Sequence, residues 1–177
     1  MGVSIRENLG IPDGQIEATA ENRLTLITMI RRYRPELLLF PFHTDRHPDH
    51  ERAHVLCKEA WFQAGLEKVP SRDAGREQEP FRPRSYLCFM QWFEFPPTFV
   101  VDISDEFDQR MQAVRAYRSQ FFDPDSTERA TALSSPDFFD MITTRAAYYG
   151  DRIGVRYGEP FFSPLMMRVD DILTIGR

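Results

Sequence analysis

Residues 42–50 read Phe-His-Thr-Asp-Arg-His-Pro-Asp-His, so His43, His47 and His50 share one short stretch with Asp45 and Asp49 between them. Imidazole carries protons near neutral pH and binds metals, and a carboxylate can orient it through its ring N–H. The chemistry this set suits places one histidine on a metal and another at work on the substrate, with Asp49 or Asp45 orienting an imidazole. His43 and Asp45 are also donors able to approach His50, as an improvised metal site would need.

A second pattern overlaps the first. His50-Glu51-Arg52-Ala53-His54 matches HExxH, in which His50 and His54 would bind zinc and Glu51 would activate its water. A zinc-protease helix carries both ligands in its interior. Here Pro48 forces the helix to begin at about His50, and His54 falls next to the apolar stripe, where a buried histidine is the ordinary outcome. The Asp-Arg-His-Pro-Asp-His register is therefore favoured, and the protease register is kept as the alternative.

The elements that must position these residues are legible on either side. Residues 36–42, Glu-Leu-Leu-Leu-Phe-Pro-Phe, form a continuous apolar run suited to a parallel strand buried on both faces, and ligands of open α/β sheets bind beyond the carboxyl ends of strands. Before it, 17–35 predicts an amphipathic helix with Leu24, Ile27 and Ile30 on one face and Pro35 as its stop. After it, 49–64 predicts a helix ending at Gly65. Residues 70–84, charged and proline-rich, read as an exposed excursion. Two β-rich runs, 85–93 and 98–104, precede a helix starting at Ser104 and running to 122; another follows with Ser135 as N-cap, Pro136 in its first turn and Gly150 as its stop.

The whole chain is 177 residues with a net charge of −5 and a pI near 5.4, a size that fits a single domain and a charge unlike a nucleic-acid-binding face. No apolar run reaches the length of a membrane span and no signal peptide is evident, so a cytoplasmic location is expected. Cys57 and Cys88 lack metal or disulfide spacing and read as two buried thiols.

The stretch 37–53 resembles the second signature of the LmbE/PIG-L family of metal-dependent N-acetylglucosamine deacetylases. Residues 3–14, 117–122 and 157–162 are similar to its bacillithiol-biosynthesis branch, which acts on N-acetylglucosaminyl malate. The resemblance implies an α/β, three-layer Rossmann-like fold with a mostly parallel sheet, zinc or another divalent metal as cofactor, a small sugar conjugate as substrate and a homo-oligomer. It implies His50 as a zinc ligand, His47 as stabiliser of the tetrahedral intermediate and proton donor to the leaving amine, and Asp49 as the residue tuning His47. It also points to Asp13 at the sugar hydroxyls, Arg46 at an anionic or polar part of the substrate, and Tyr157 at the pocket wall. The family's first signature, Ala-His-Pro-Asp-Asp-Glu, which supplies two further zinc ligands and the general base, does not occur in the chain. The first βα unit is accordingly expected to be missing, leaving an exposed apolar sheet edge, with impaired activity or a non-catalytic remnant as the consequence.

Overall fold

The computed structural model describes residues 2–121, 131–135 and 137–174. Their elements are α1 (Ala20–Tyr33), β1 (Leu37–Pro41), α2 (Pro48–Ala64), β2 (Arg72–Asp73), β3 (Arg76–Glu77), β4 (Ser85–Phe89), β5 (Phe99–Asp102), α3 (Phe107–Arg115), α4 (Asp137–Asp151), β6 (Gly158–Phe162) and a 3-10 turn, Ile172–Thr174. The class is α/β, as expected. The chain falls into two compact units, a larger one of Glu7–Thr98 with Phe161–Ile172 and a smaller one of Met1–Arg6, Phe99–Pro160 and Leu173–Arg177.

In the larger unit, α1 starts where the Thr19 hydroxyl accepts the Asn22 N–H (3.1 Å). It ends where Arg34 turns left-handed (φ 46°) and returns its N–H to the Ile30 carbonyl. Ile27 and Ile30 are buried against Ala60 and Ala64 of α2, whose small side chains let the two helices approach. Leu24, expected on the same stripe, is exposed, and Arg31 is buried in its place. The reason is polar: Arg31 donates to the carbonyls of Ala64, Leu66 and Val69 and to the Ser71 hydroxyl. It thereby satisfies the open carbonyl end of α2, a role that hydrophobic periodicity does not signal.

Strand β1 runs parallel to β4, with Leu37 opposite Ser85 and Pro41 opposite Phe89. Phe40 packs with Tyr86 and Cys88, with Cys57 and Trp61 of α2 closing over them. Burial pushes the Cys57 thiol up to about 11 and that of Cys88 up to about 12, so both stay protonated. The other face of β1 differs from the expectation of two-sided burial: Leu37 is 42% and Leu39 55% exposed. Among the described residues β1 ends its sheet, with β4 as its one strand neighbour, so its outer edge is open. On the far side of β4 the last residues of β6 pair antiparallel, Phe162 opposite Cys88, and the sheet is mixed.

The stretch 70–84 holds an ordered hairpin. Ala74 and Gly75 both adopt positive φ (48° and 79°), the geometry that joins two strands through a two-residue turn. Its strands β2 and β3 are tied to α1 by Arg32 Nε to Asp73 (2.7 Å) and by Gln78 to the Thr28 carbonyl (3.1 Å).

In the smaller unit, β5 leads to α3, and the Ile103 N–H returns to the Tyr157 carbonyl just before β6 (3.0 Å). Ser104 does not cap α3. Its hydroxyl donates to Asp102 and the helix begins at Phe107, ending at Arg115 rather than continuing toward 122. Phe107 and Met111 pack with Ala146 of α4. Ser135 accepts the Asp137 N–H at the start of α4 (3.3 Å); Pro136 and Phe122 lie outside the described residues. Gly150 sits within α4 rather than after it, and glycine is required there because a Cβ would stand 2.8 Å from the backbone of Arg156. No described helix is long and apolar enough to cross a membrane.

Candidate functional site

The site lies in the larger unit, where β1 and β4 leave the sheet at the same end. His47 is the N-cap of α2, with extended backbone (φ −93°, ψ 124°) and Pro48 next in the first turn. Its Nδ1 accepts the backbone N–H of Asp49 (3.2 Å), the bond that a serine or aspartate oxygen makes at most helix starts. A ring nitrogen that accepts carries no proton, so in the neutral imidazole of His47 the hydrogen sits on Nε2. His50 is in the same first turn, its ring centroid 5.1 Å from that of His47 and its side chain 34% exposed. Its Nδ1 is 2.9 Å from Asp45 Oδ1, and its Nε2 is 3.3 Å from Gln91 Nε2.

Asp45 is buried between two loops. Oδ1 also accepts the His47 N–H (3.2 Å), Oδ2 accepts the Trp92 N–H (2.9 Å), and the Asp45 N–H itself donates to Glu51 Oε1 (3.0 Å). Burial alone would raise its pKa, but the bonds from Trp92, His50 and His47 outweigh that and hold it below the ordinary carboxylate value. Arg46 projects outward with its guanidinium over the Trp92 ring, 4.4 Å from the centroid, a cation–π contact. Phe42 and Phe95 pack alongside (4.3 Å) with Phe162 behind Phe42 (5.1 Å).

The carboxylate of Asp49 does not face His47. It is 3% exposed, with Oδ2 accepting the Gly14 N–H (2.6 Å) and Oδ1 3.6 Å from Arg52. The link from Asp49 to His47 runs through its backbone N–H, while its side chain draws the Pro12-Asp13-Gly14 turn to the start of α2. Asp13 itself is exposed beside that anchor. Tyr157 belongs to the smaller unit, with its ring stacked on Phe107 at 3.8 Å.

His54 is a scaffold residue. Its Nδ1 donates to the Pro41 carbonyl (2.9 Å), and its ring meets Phe40 edge-on (5.4 Å) with Cys88 Sγ at 3.8 Å. Burial lowers its pKa although the Pro41 bond opposes the shift, so it stays neutral. With Glu51 spent on Asp45, the HExxH register is not assembled as a centre. His43 is exposed, bonded to the Thr44 hydroxyl (2.8 Å) with its ring on Phe42 (4.0 Å).

A mononuclear hydrolytic zinc centre takes three protein ligands. Among the described residues no three histidine, cysteine or acidic side chains are gathered as a metal would require. His50 fits the part of one ligand, and the described residues supply no second and third. Gln91 and Trp92 went unassigned in the sequence, where 85–93 reads as one β-rich run. Once β4 is placed parallel beside β1, the strand-end argument that selects 43–50 selects them as well.

The fold and site define an α/β protein with paired histidines and a buried carboxylate at the carboxyl end of parallel strands. The family model for the PIG-L group, described as GlcNAc-PI de-N-acetylase, matches residues 1–61. A conserved protein of Thermus thermophilus of solved structure is 38% identical, with a TM-score of 0.81 over 95% of this chain and 69% of that one. The diacetylchitobiose deacetylase of Thermococcus kodakarensis is 33% identical over 164 residues, 90% of this chain and 56% of that protein. The solved N,N'-diacetylchitobiose deacetylase of Pyrococcus horikoshii is 26% identical, with a TM-score of 0.65 over 85% of this chain and 54% of that one. The chain belongs to the PIG-L (LmbE) family. It spans about half the length of the curated relative it matches.

Proposed function

We propose that this protein takes part in hydrolysing the N-acetyl group of an N-acetylglucosamine conjugate, with N-acetylglucosaminyl malate as the particular substrate. The observation that carries the reading is the pair His47 and His50, two imidazoles 5.1 Å apart on one helix turn, of which His47 has its proton on the nitrogen away from the helix. In amide hydrolysis the carbonyl oxygen gains charge and the amine must leave protonated. The outward Nε2–H can hydrogen-bond the oxygen that gains charge, and the ring can pass a proton to the amine once it has taken up a second one, which is the part assigned to His47. Arg46, stacked on Trp92 and exposed, offers a guanidinium to a carboxylate of the aglycone, and Asp13 faces the sugar hydroxyls. Zinc, or another divalent metal, belongs to the proposal with His50 as one of its ligands; when bound it supplies a Lewis acid for the carbonyl. A cytoplasmic homo-oligomer is the form in which this activity is proposed.

The test is acetate release from N-acetylglucosaminyl malate and from N,N'-diacetylchitobiose. His47→Ala should lower it by at least about 100-fold, the usual scale for losing a general acid, whereas His54→Gln should retain most of it in the folded fraction. Loss confined to the His54 variant would favour the HExxH register instead. No release of acetate from either substrate by the unaltered protein would sink the reading, and a non-catalytic member of the family would stand in its place.

A further inference from the structure

We infer that Asp45 is the positioning residue that selects the tautomer of His50, holding its proton on Nδ1 and presenting Nε2 to the site as a bare acceptor. Both oxygens of Asp45 face backbone donors, Oδ1 the N–H of His47 and Oδ2 the N–H of Trp92. The donors gathered on Asp45 hold it in its carboxylate form, which can only accept, so the Nδ1 of His50 at 2.9 Å from Oδ1 must be the donor. A neutral imidazole has one such hydrogen, so Nε2 is left with a lone pair. The side-chain nitrogen of Gln91, 3.3 Å away on that side, is a donor matched to it.

His47 has the opposite arrangement, since its Nδ1 accepts the Asp49 N–H and its hydrogen is on Nε2. The first turn of α2 thus carries a donor imidazole and an acceptor imidazole side by side. The difference arises because one ring nitrogen faces a backbone N–H and the other a carboxylate. Asp49, the other carboxylate in the stretch, is spent on Gly14 and cannot serve His50. Asp45 is itself held by the bond from its N–H to Glu51, and it grips the backbone of Trp92 with the oxygen that His50 does not use. One buried carboxylate therefore sets both the ring of His50 and the position of the loop that carries Trp92. The inference rests on the deacetylase reading only for the use to which the bare nitrogen is put, ligand or acceptor.

The experiment is long-range proton–nitrogen NMR of the full chain labelled at its imidazole nitrogens, recorded at about pH 8, where an ordinary imidazole is neutral, with His47→Gln and His50→Gln assigning the rings. The unaltered protein should show His50 protonated at Nδ1 and bare at Nε2, and His47 the reverse. In Asp45→Leu the acceptor facing Nδ1 is gone, so the His50 population should shift toward Nε2–H. A proton on Nε2 of His50 in the unaltered protein overturns the inference, and this measurement decides even where Asp45→Leu does not fold. An unchanged His50 tautomer in a folded Asp45→Leu overturns it as well. Acetate release assayed on the same preparation separates the two readings: the expected tautomers without acetate leave Asp45 in its role and sink the deacetylase.

Discussion

The carboxylate of Asp49 accepts a 2.6 Å hydrogen bond from the backbone N–H of Gly14, joining the turn ahead of α1 to the first turn of α2 across 35 positions of sequence. An acidic side chain in a first helical turn is ordinarily read as serving the helix dipole. This one also anchors a loop, drawing the Pro12-Asp13-Gly14 turn to the start of α2.

Replacing Asp49 separates its two contacts. Asp49→Ala removes the acceptor for Gly14 but keeps the N–H that His47 uses, and loss of one bond to a buried charged acceptor costs about 1 to 3 kcal/mol. The urea midpoint should fall accordingly, and the KM for the acetylated sugar should rise more than kcat falls. Asp49→Asn, which keeps an acceptor oxygen, should recover most of the stability. Equal losses in the two variants would mean that the charge beside Arg52, rather than the bond to Gly14, is what counts.

Acid should weaken the fold through His54. Its pKa is held below the ordinary value by burial, so below about pH 6.5 the unfolded chain takes up a proton that the folded chain resists. The contribution is complete above that pH and is lost as the pH falls toward the folded value. His54→Asn, which keeps a donor for the Pro41 carbonyl, should lower stability at neutral pH yet show a shallower decline on acidification. Parallel stability curves for the two proteins between pH 7.5 and 5.5 (roughly one unit either side of the ordinary histidine value) would refute the assignment.

Arg31 should be among the costliest polar residues to remove. Arg31→Leu strands the carbonyls of Ala64, Leu66 and Val69 and the Ser71 hydroxyl, and the loss should reach at least about 3 kcal/mol. Arg31→Lys, with one compact ammonium in place of a planar fork, should restore only part of it. Chemical denaturation compared with a surface control such as Arg152→Leu would show this. A midpoint unchanged in Arg31→Leu would mean that water replaces the guanidinium.

Local rules made much of the site readable. Pro48 can sit only in a first helical turn, so the start of α2 follows from one residue, and with it the placing of His47 and His50 side by side and of His54 one turn deeper. The run from Leu37 to Pro41 announces a strand, and its carboxyl end announces where ligands bind. Arg31 and the hairpin at Ala74-Gly75 escaped the same reading. Hydrophobic periodicity does not register a buried cation, and the hairpin strands are two residues each, too short to leave a pattern.

By itself the sequence determined which residues could do chemistry and the elements that carry them, because helix starts, strand runs and the spacing of His47, Asp49 and His50 are properties of adjacent residues. Only the tertiary structure decided the division of labour between the two carboxylates. It assigned Asp45 to His50 and Asp49 to Gly14, and it brought Trp92 to Asp45 across 47 positions because β4 lies parallel beside β1. Hydrogen bonds select partners by distance and direction in space, and the pairing of strands that creates those distances is written in no single stretch of the chain.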